Sequence, residues 1–321
     1  MNQHSLAMTR RIFAAASALA LLGAALPASS LAEPPPVVST WTPDRLSDGQ
    51  PNVDGWWMAG GTVEVEGKQV ATRGGTYDIT GGTLGGGGED EVIQVEKLRK
   101  EGKPLPAWPS KIVDPADGQI PYQPWARAHQ KDIEAHVDHP TKQEYLDPQE
   151  RCFTTGAVRN MFHYDFEIKQ FPGYVVITHS DSRIIPIDNG GPHPDQRIKL
   201  WNGDSRGHWE GNTLVVDVAN NNSKGRLDRA GNFSSDKAHI VERYTFLDKD
   251  NFIYQATIED PTVYTRPFTV SSRLIRIHKD EPGYEHWESE CWEHERNTKQ
   301  LAADIDAAQI KSAKAKPKVN P

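Results

Sequence analysis

Glu242 is the residue whose neighbours best suit it to acid–base chemistry. In the run Ile240–Leu247 an extended backbone puts Ile240, Glu242, Tyr244 and Phe246 on one face. A carboxylate among such side chains is stripped of water, its pKa rises, and it becomes a general acid or base. The same pattern suits a buried ion pair with an arginine such as Arg183 or Arg273, or a solvated face that carries aromatics. His179 shares a face with Val175 and Ile177, and Arg183 with Ile185 and Ile187. An imidazole that titrates near neutrality shuttles protons, and a guanidinium fixes a carboxylate or phenolate. Hydrogen-bonded core residues are the alternative for both.

The densest group of chemically distinct side chains is Gly203 to Gly211, which reads as a glycine-bounded turn carrying Asp204, Ser205, Arg206, His208, Trp209 and Glu210. Polar groups that orient a ligand beside an indole that buries it are what a small-molecule site requires. In an acid–base mechanism Glu242 or His208 accepts the proton and Asp204 orients His208. Arg183 and Arg206 then stabilise negative charge, Tyr264 donates a hydrogen bond, and Trp209 and His179 line the ligand. A purely structural turn, with Asp204 and Ser205 capping amides and Arg206 paired to Glu210, uses the same residues. Ser205, His208 and Asp204 do not make a hydrolase triad, since the Gly-x-Ser-x-Gly elbow is missing and the three lie too close in sequence.

Two further patterns point away from cofactors. His286, Glu288, Glu290 and His294 alternate along one segment, but with Cys291 turned inward they read as a solvated face and not as metal ligands. The glycines Gly85 to Gly88 lack the Lys and Ser or Thr of a phosphate loop and no apolar strand precedes them. No dinucleotide fingerprint appears, so neither metal nor cofactor is expected.

These residues must be positioned by β-structure. From Phe162 to Trp292 short segments of alternating polarity are divided by turn residues, the pattern of an antiparallel sheet. The expected strands are Phe162 to Gln170, Tyr174 to Ser180, Arg183 to Ile187, Lys199 to Trp201, Thr213 to Val218, Ile240 to Leu247, Asn251 to Glu259, Phe268 to His278 and Glu285 to Glu293. So many strands at this spacing suggest a closed or nearly closed lipocalin-like barrel, because closure removes exposed edges, with a β-sandwich as the alternative. The fold class is therefore mainly β, with residues 151–295 as the barrel core.

Residues 33–150 are rich in Pro and Gly and read as a loop-rich wrap with few regular elements. Within them Trp56, Trp57 and Met58 form an apolar anchor, Thr62 to Val70 one strand, and Pro124 to Val137 a helix with Trp125, Ala128, Ile133 and Val137 on one side. Residues 296–321 read as a short Ala-rich helix followed by a disordered tail of Lys and Pro.

Residues 1–32 read as a cleaved signal peptide. Arg10 and Arg11 precede the apolar run Ile12 to Leu26, which is too short to span a bilayer, and Ser30-Leu31-Ala32 supplies small residues for cleavage after Ala32. Thr9-Arg10-Arg11-Ile12-Phe13 also fits a twin-arginine signal, as an ordinary secretory signal would. The expected location is the periplasm or the medium, with no membrane span. A net charge of −8 argues against nucleic acid and anionic membranes as partners. Only Cys152 and Cys291 are present, and an oxidising compartment favours a disulfide between them.

The stretch Trp201-Asn202-Gly203-Asp204-Ser205-Arg206-Gly207-His208-Trp209-Glu210-Gly211-Asn212-Thr213-Leu214-Val215-Val216-Asp217 resembles an uncharacterised family of exported bacterial proteins. Asp147 to Cys152, Arg183 to Pro186, Ile258 to Pro261 and Tyr264 to Pro267 resemble the same family, so the likeness spans most of residues 40–295. It implies family membership without a reaction. Where relatives tend to carry Cys-His-Glu-Gly-Asn this chain reads Cys291-Trp292-Glu293-His294-Glu295, which implies a difference in ligand or activity if that segment helps form a site. Three functions stay open: a cofactor-independent lyase, isomerase or cyclase acting on a small, partly apolar or phenolic molecule; a lipocalin-like carrier of an apolar ligand; and a surface interaction protein using the Pro- and Gly-rich part.

Overall fold

The run Asn251–Glu259 shows how this chain makes sheet. Phe252, Tyr254, Ala256 and Ile258 are buried while Ile253, Gln255 and Thr257 are half-exposed, so every second residue enters the core. The computed structural model describes residues 37–65, 68–73, 78–81, 98, 100–103, 109–137, 140–162, 165–179, 181–188 and 190–278. The strands in chain order are β1 (Gly55–Val65), β2 (Lys68–Arg73), β3 (Ile112–Asp114), β4 (Phe166–Phe171), β5 (Tyr174–Thr178) and β6 (Ser182–Pro186). They continue with β7 (Asp204–Glu210), β8 (Thr213–Ala219), β9 (His239–Phe246), β10 (Asn251–Glu259) and β11 (Phe268–Ile277). Among the helices are α1 (Pro124–Glu134) and the short α2 (Ala157–Asn160).

The described strands join one antiparallel sheet in the order β6-β5-β4-β1-β11-β10-β9-β8-β7, with β2 attached to β1 and β3 to β11. The sheet is not closed into a barrel. Its two outermost strands meet at a single parallel bridge, Ile187 to Gly207, where the Asp188 N–H donates to the Gly207 carbonyl at 2.9 Å. Gly207 permits that approach: a Cβ there would lie 2.8 Å from Ile185 and Ile187 side-chain carbons. Inward residues of the sheet fill one apolar core, in which the Trp57 ring meets Phe252 edge-on at 4.9 Å and Phe246 at 5.6 Å.

Three expectations change. The run Thr62 to Val70 is not one strand but the end of β1 and the start of β2, paired as a hairpin in which Val63 faces Val70. Lys199 to Trp201 contributes only an isolated bridge at Leu200. The N-terminal part is more than a wrap, because β1 lies inside the sheet between β4 and β11 and delivers the fully buried Trp57. Its apolar anchor needs a partner on both sides, which the strands that follow residue 165 supply. The expected helix forms over Pro124–Glu134, with Ala126, Gln130 and Ile133 buried and Trp125 exposed. Residues 1–32, expected to be a signal peptide, and the segments Glu285 to Glu293 and 296–321 lie outside the described residues. No helix among the described residues is long and apolar enough to cross a membrane.

Candidate functional site

Gly203 to Gly211 is a strand and not a turn, which divides the expected site between two faces. In β7 Ser205 and Gly207 point inward and Asp204, Arg206, His208 and Glu210 outward. Asp204 and His208 are four residues apart on an extended backbone, roughly 13 Å at 3.3 Å per residue, so Asp204 does not orient His208. Asp204 instead meets His193 Nδ1 at 2.6 Å and Arg206 at 3.1 Å. His208 is half-exposed and reaches Glu210 at 3.2 Å, which also receives Arg243 at 2.7 Å. His193 Nε2 and His239 Nε2 both approach Asp217 Oδ1 at 3.0 Å, completing a polar outer face on β7, β8 and β9.

Glu242 points the other way, into the core, and is fully buried. Arg183 holds it: Nη2 contacts Oε2, and Nη1 donates to Oε1 at 3.1 Å. The Tyr254 hydroxyl donates to the same Oε1 at 2.7 Å, and the Tyr244 hydroxyl lies 3.3 Å from it. Arg183 Nε is satisfied by Ser205 Oγ at 2.9 Å. Burial pulls the Arg183 pKa down, but the Glu242 carboxylate beside it more than reverses this. Burial and the same carboxylate hold the Tyr244 and Tyr254 hydroxyls well above the ordinary tyrosine value. These five side chains, from β6, β7, β9 and β10, form a closed ionic network of the kind that fixes register and packing.

The other expected ligand contacts lie elsewhere. Trp209 donates its indole N–H to Gln50 at 3.1 Å, tying the N-terminal segment to β7. Tyr264 is buried against Tyr122 and Phe268, and its hydroxyl donates to the Phe233 carbonyl at 2.5 Å. His179 follows β5; burial draws its pKa below the ordinary value against the opposing pull of Asp181 and Asp165. Arg273 lies in β11 and donates to Asn251 at 3.0 Å. Cys152 is half-buried with φ of 56°, and Cys291 lies outside the described residues, as do His286, Glu288, Glu290 and His294. Among the described residues no group of three or more acidic, His or Cys side chains could hold a metal ion.

A small cleft lies between α2 and the loop after β8. Its cavity volume is about 30 Å³, and it is lined by Thr155 to Arg159, by Asn221, Asn222, Ser223 and Gly225 to Leu227, and by Trp201, Ser234 and Ile240. The walls are stitched together by the Arg226 N–H, which donates to the Thr155 carbonyl at 3.1 Å. Gly225 allows the fit, since a Cβ there would stand 2.7 Å from that carbonyl. At the rim Trp201 stacks on Phe153 with ring centres 4.8 Å apart and planes 12° from parallel, and Arg151 lies over Phe153 at 5.1 Å.

Two buried arginines line the cleft. Arg159 donates Nη1 to Asp147 at 2.8 Å and to the Asp228 carbonyl at 3.1 Å, while its Nε is buried without a partner. Burial tends to raise the Asp147 pKa, but the Arg159 charge and hydrogen bond carry it below the ordinary value. The Arg226 guanidinium donates to the carbonyls of Glu144 at 2.5 Å and Tyr145 at 3.5 Å, and burial lowers its pKa against the opposing pull of the Asp147, Asp228 and Glu150 charges. The lining contains no carboxylate and no imidazole among the described residues. Arg159, Arg226 and Phe153 carry no local signal in the sequence: each meets residues distant in the chain, Phe153 with Trp201, Arg159 with Asp228 and Arg226 with Glu144.

No protein-family model, curated protein or solved structure matches this chain.

Proposed function

We propose that this protein binds a small, partly apolar molecule in the cleft between α2 and the loop after β8, as an exported carrier or receptor. The observation that carries this reading is the lining itself, where Trp201, Val158, Leu227 and Ile240 offer apolar surface beside Thr155, Asn221 and the two arginines. An apolar body with a few convergent polar groups is the usual make-up of a ligand site. The meeting of β6 and β7 at Ile187 and Gly207 supports a nearly closed, lipocalin-like reading of the sheet. Its interior is filled by side chains, so the ligand site is placed outside the sheet core. The amino-terminal leader pattern supports periplasmic or secreted residence.

The test is a screen of apolar and phenolic compounds by two-dimensional NMR, reading the Trp201 indole and the amides of residues 155–159. Saturable shifts confined to these groups, weakened at least fivefold by Trp201→Ala, are expected. Hits that bind with equal affinity to Trp201→Ala and shift other regions overturn the reading.

Acid–base conversion at Glu242 is the second reading, favoured by the 2.7 Å hydrogen bond from Tyr254 to a buried carboxylate. It requires a substrate to reach the interior network and displace part of it. Chemical conversion of a hit by the wild type and not by Glu242→Gln, with both proteins binding it, would establish that reading over the carrier.

A further inference from the structure

The chain between β6 and β7, residues 187–203, joins the two outermost strands of the sheet. Its described residues form turns and isolated bridges and are mostly exposed or half-exposed. Segments with so little buried apolar surface open locally at small cost, so the ties that hold them decide how often they open. Those ties include the Asp188 N–H to the Gly207 carbonyl and the Leu200 N–H to the Asn220 carbonyl, both at 2.9 Å, and Asn220 Nδ2 to the Pro194 carbonyl at 3.0 Å. Midway along the connection stands His193.

His193 meets a carboxylate with each ring nitrogen. Nδ1 lies 2.6 Å from Asp204 Oδ2 in β7, and Nε2 lies 3.0 Å from Asp217 Oδ1 in β8. Arg206 Nη2 also meets that Asp204 oxygen at 3.1 Å, and His239 Nε2 in β9 meets that Asp217 oxygen at 3.0 Å. On the connection itself Asp195 is turned to Arg197 at 2.9 Å, and Lys199 donates to the Asp236 carbonyl at 2.6 Å. A neutral imidazole has one N–H and one lone pair, so it donates to one of the two carboxylates and turns its lone pair on the other. An imidazolium donates to both, through charge-assisted hydrogen bonds. The two-sided contact is therefore the geometry of the protonated ring.

Two features couple the ring to the chain. His193 stands between Pro192 and Pro194, which restrict the backbone on both sides, so the imidazole and this stretch of chain move together. The two contacts are also unequal: the Asp204 side chain is 15% exposed and that of Asp217 49%. A ring that loses a proton keeps the sheltered Asp204 and gives up Asp217, which water and His239 still serve.

We propose that His193 is a proton-operated latch: protonated, it clasps the β6–β7 connection to both β7 and β8, and deprotonated, it frees the connection from β8. Imidazoles change charge between about pH 5 and 8, so the connection is tightest at the acid end and loosens as pH rises. The latch needs no ligand in the cleft and stands whether or not one binds there.

The test is NMR on the full mature protein from about pH 5 to 8.5. Long-range nitrogen–proton spectra of the imidazole count the protons on the ring. Hydrogen exchange, corrected for its intrinsic pH dependence, gives the protection of the Asp188 and Leu200 amides. Two protonated nitrogens on His193 are expected at the acid end, with protection of both amides falling about five- to tenfold as that ring deprotonates. His193→Gln, checked for folding by circular dichroism, should show the low protection at every pH, because its side chain donates from a single nitrogen. His239→Gln should keep the pH step, which separates the latch from the other imidazole at Asp217. Protection that stays level through the His193 titration, a His193 ring with one proton at the acid end, or a step that survives in His193→Gln overturns the latch.

Discussion

Glu242→Gln separates a structural from a catalytic role for the residue that chemistry singled out first. The substitution keeps the shape and removes one charge, leaving Arg183 buried without its counter-charge, with Ser205, Tyr244 and the one remaining amide oxygen as acceptors. The new amide also turns a donor toward Arg183 Nη2, which is itself a donor. Breaking one side of a buried pair typically costs about 3–5 kcal/mol. For a protein of this size each kcal/mol lowers Tm by roughly 2–4 °C, so a drop of about 6–20 °C is expected.

The companion variant, Arg183→Met with Glu242→Leu, removes both charges together. It should recover most of the loss, since apolar replacements of a buried pair are often neutral. Urea unfolding followed by circular dichroism gives both values, and the double-mutant cycle isolates the coupling. A Glu242→Gln protein within about 1 kcal/mol of wild type would refute the structural account. Loss of a chemical activity without loss of stability would then place Glu242 in catalysis.

Two further predictions follow from buried geometry. Asp228 is fully buried, and burial together with Asp78 pushes its pKa up to about 7 despite hydrogen bonds from Ile79 and Asn232. Unfolded aspartate ionises near 4, so between about pH 4 and 7 the folded protein holds a proton that the unfolded chain has released, and stability falls as pH rises through that window. Asp228→Asn should remove this contribution, up to about 1.4 kcal/mol per pH unit; unfolding curves that stay parallel from pH 4.5 to 7.5 would show the carboxyl is not the cause. Gly207→Val forces carbon into Ile185 and Ile187 where β6 meets β7. It should cost about 1–3 kcal/mol and speed exchange of the Asp188 amide, and unchanged protection of that amide would disprove the edge contact.

The alternation of side chains was legible in the sequence because a strand exposes and buries its residues with a period of two. Ile240, Glu242, Tyr244 and Phe246 do share the inward face, and Arg183 does enter the core with Ile185. That period gives a face but not a partner. Arg183 and Arg273 were equivalent candidates for Glu242, and the choice fell to strand order, which sets β9 between β8 and β10 and folds β6 over to meet them.

Gly203 to Gly211 misled for a related reason: glycines that bound a turn also bound a strand, and Gly207 lies within β7 because a neighbouring edge needs the room. The cleft was invisible beforehand, since Arg159 and Arg226 lie 67 positions apart and neither stands in a motif. Local sequence thus determined which side chains turn inward, through the fixed geometry of the extended chain. Which partners the inward charges find depends on contacts between distant segments, and only the tertiary structure decided it.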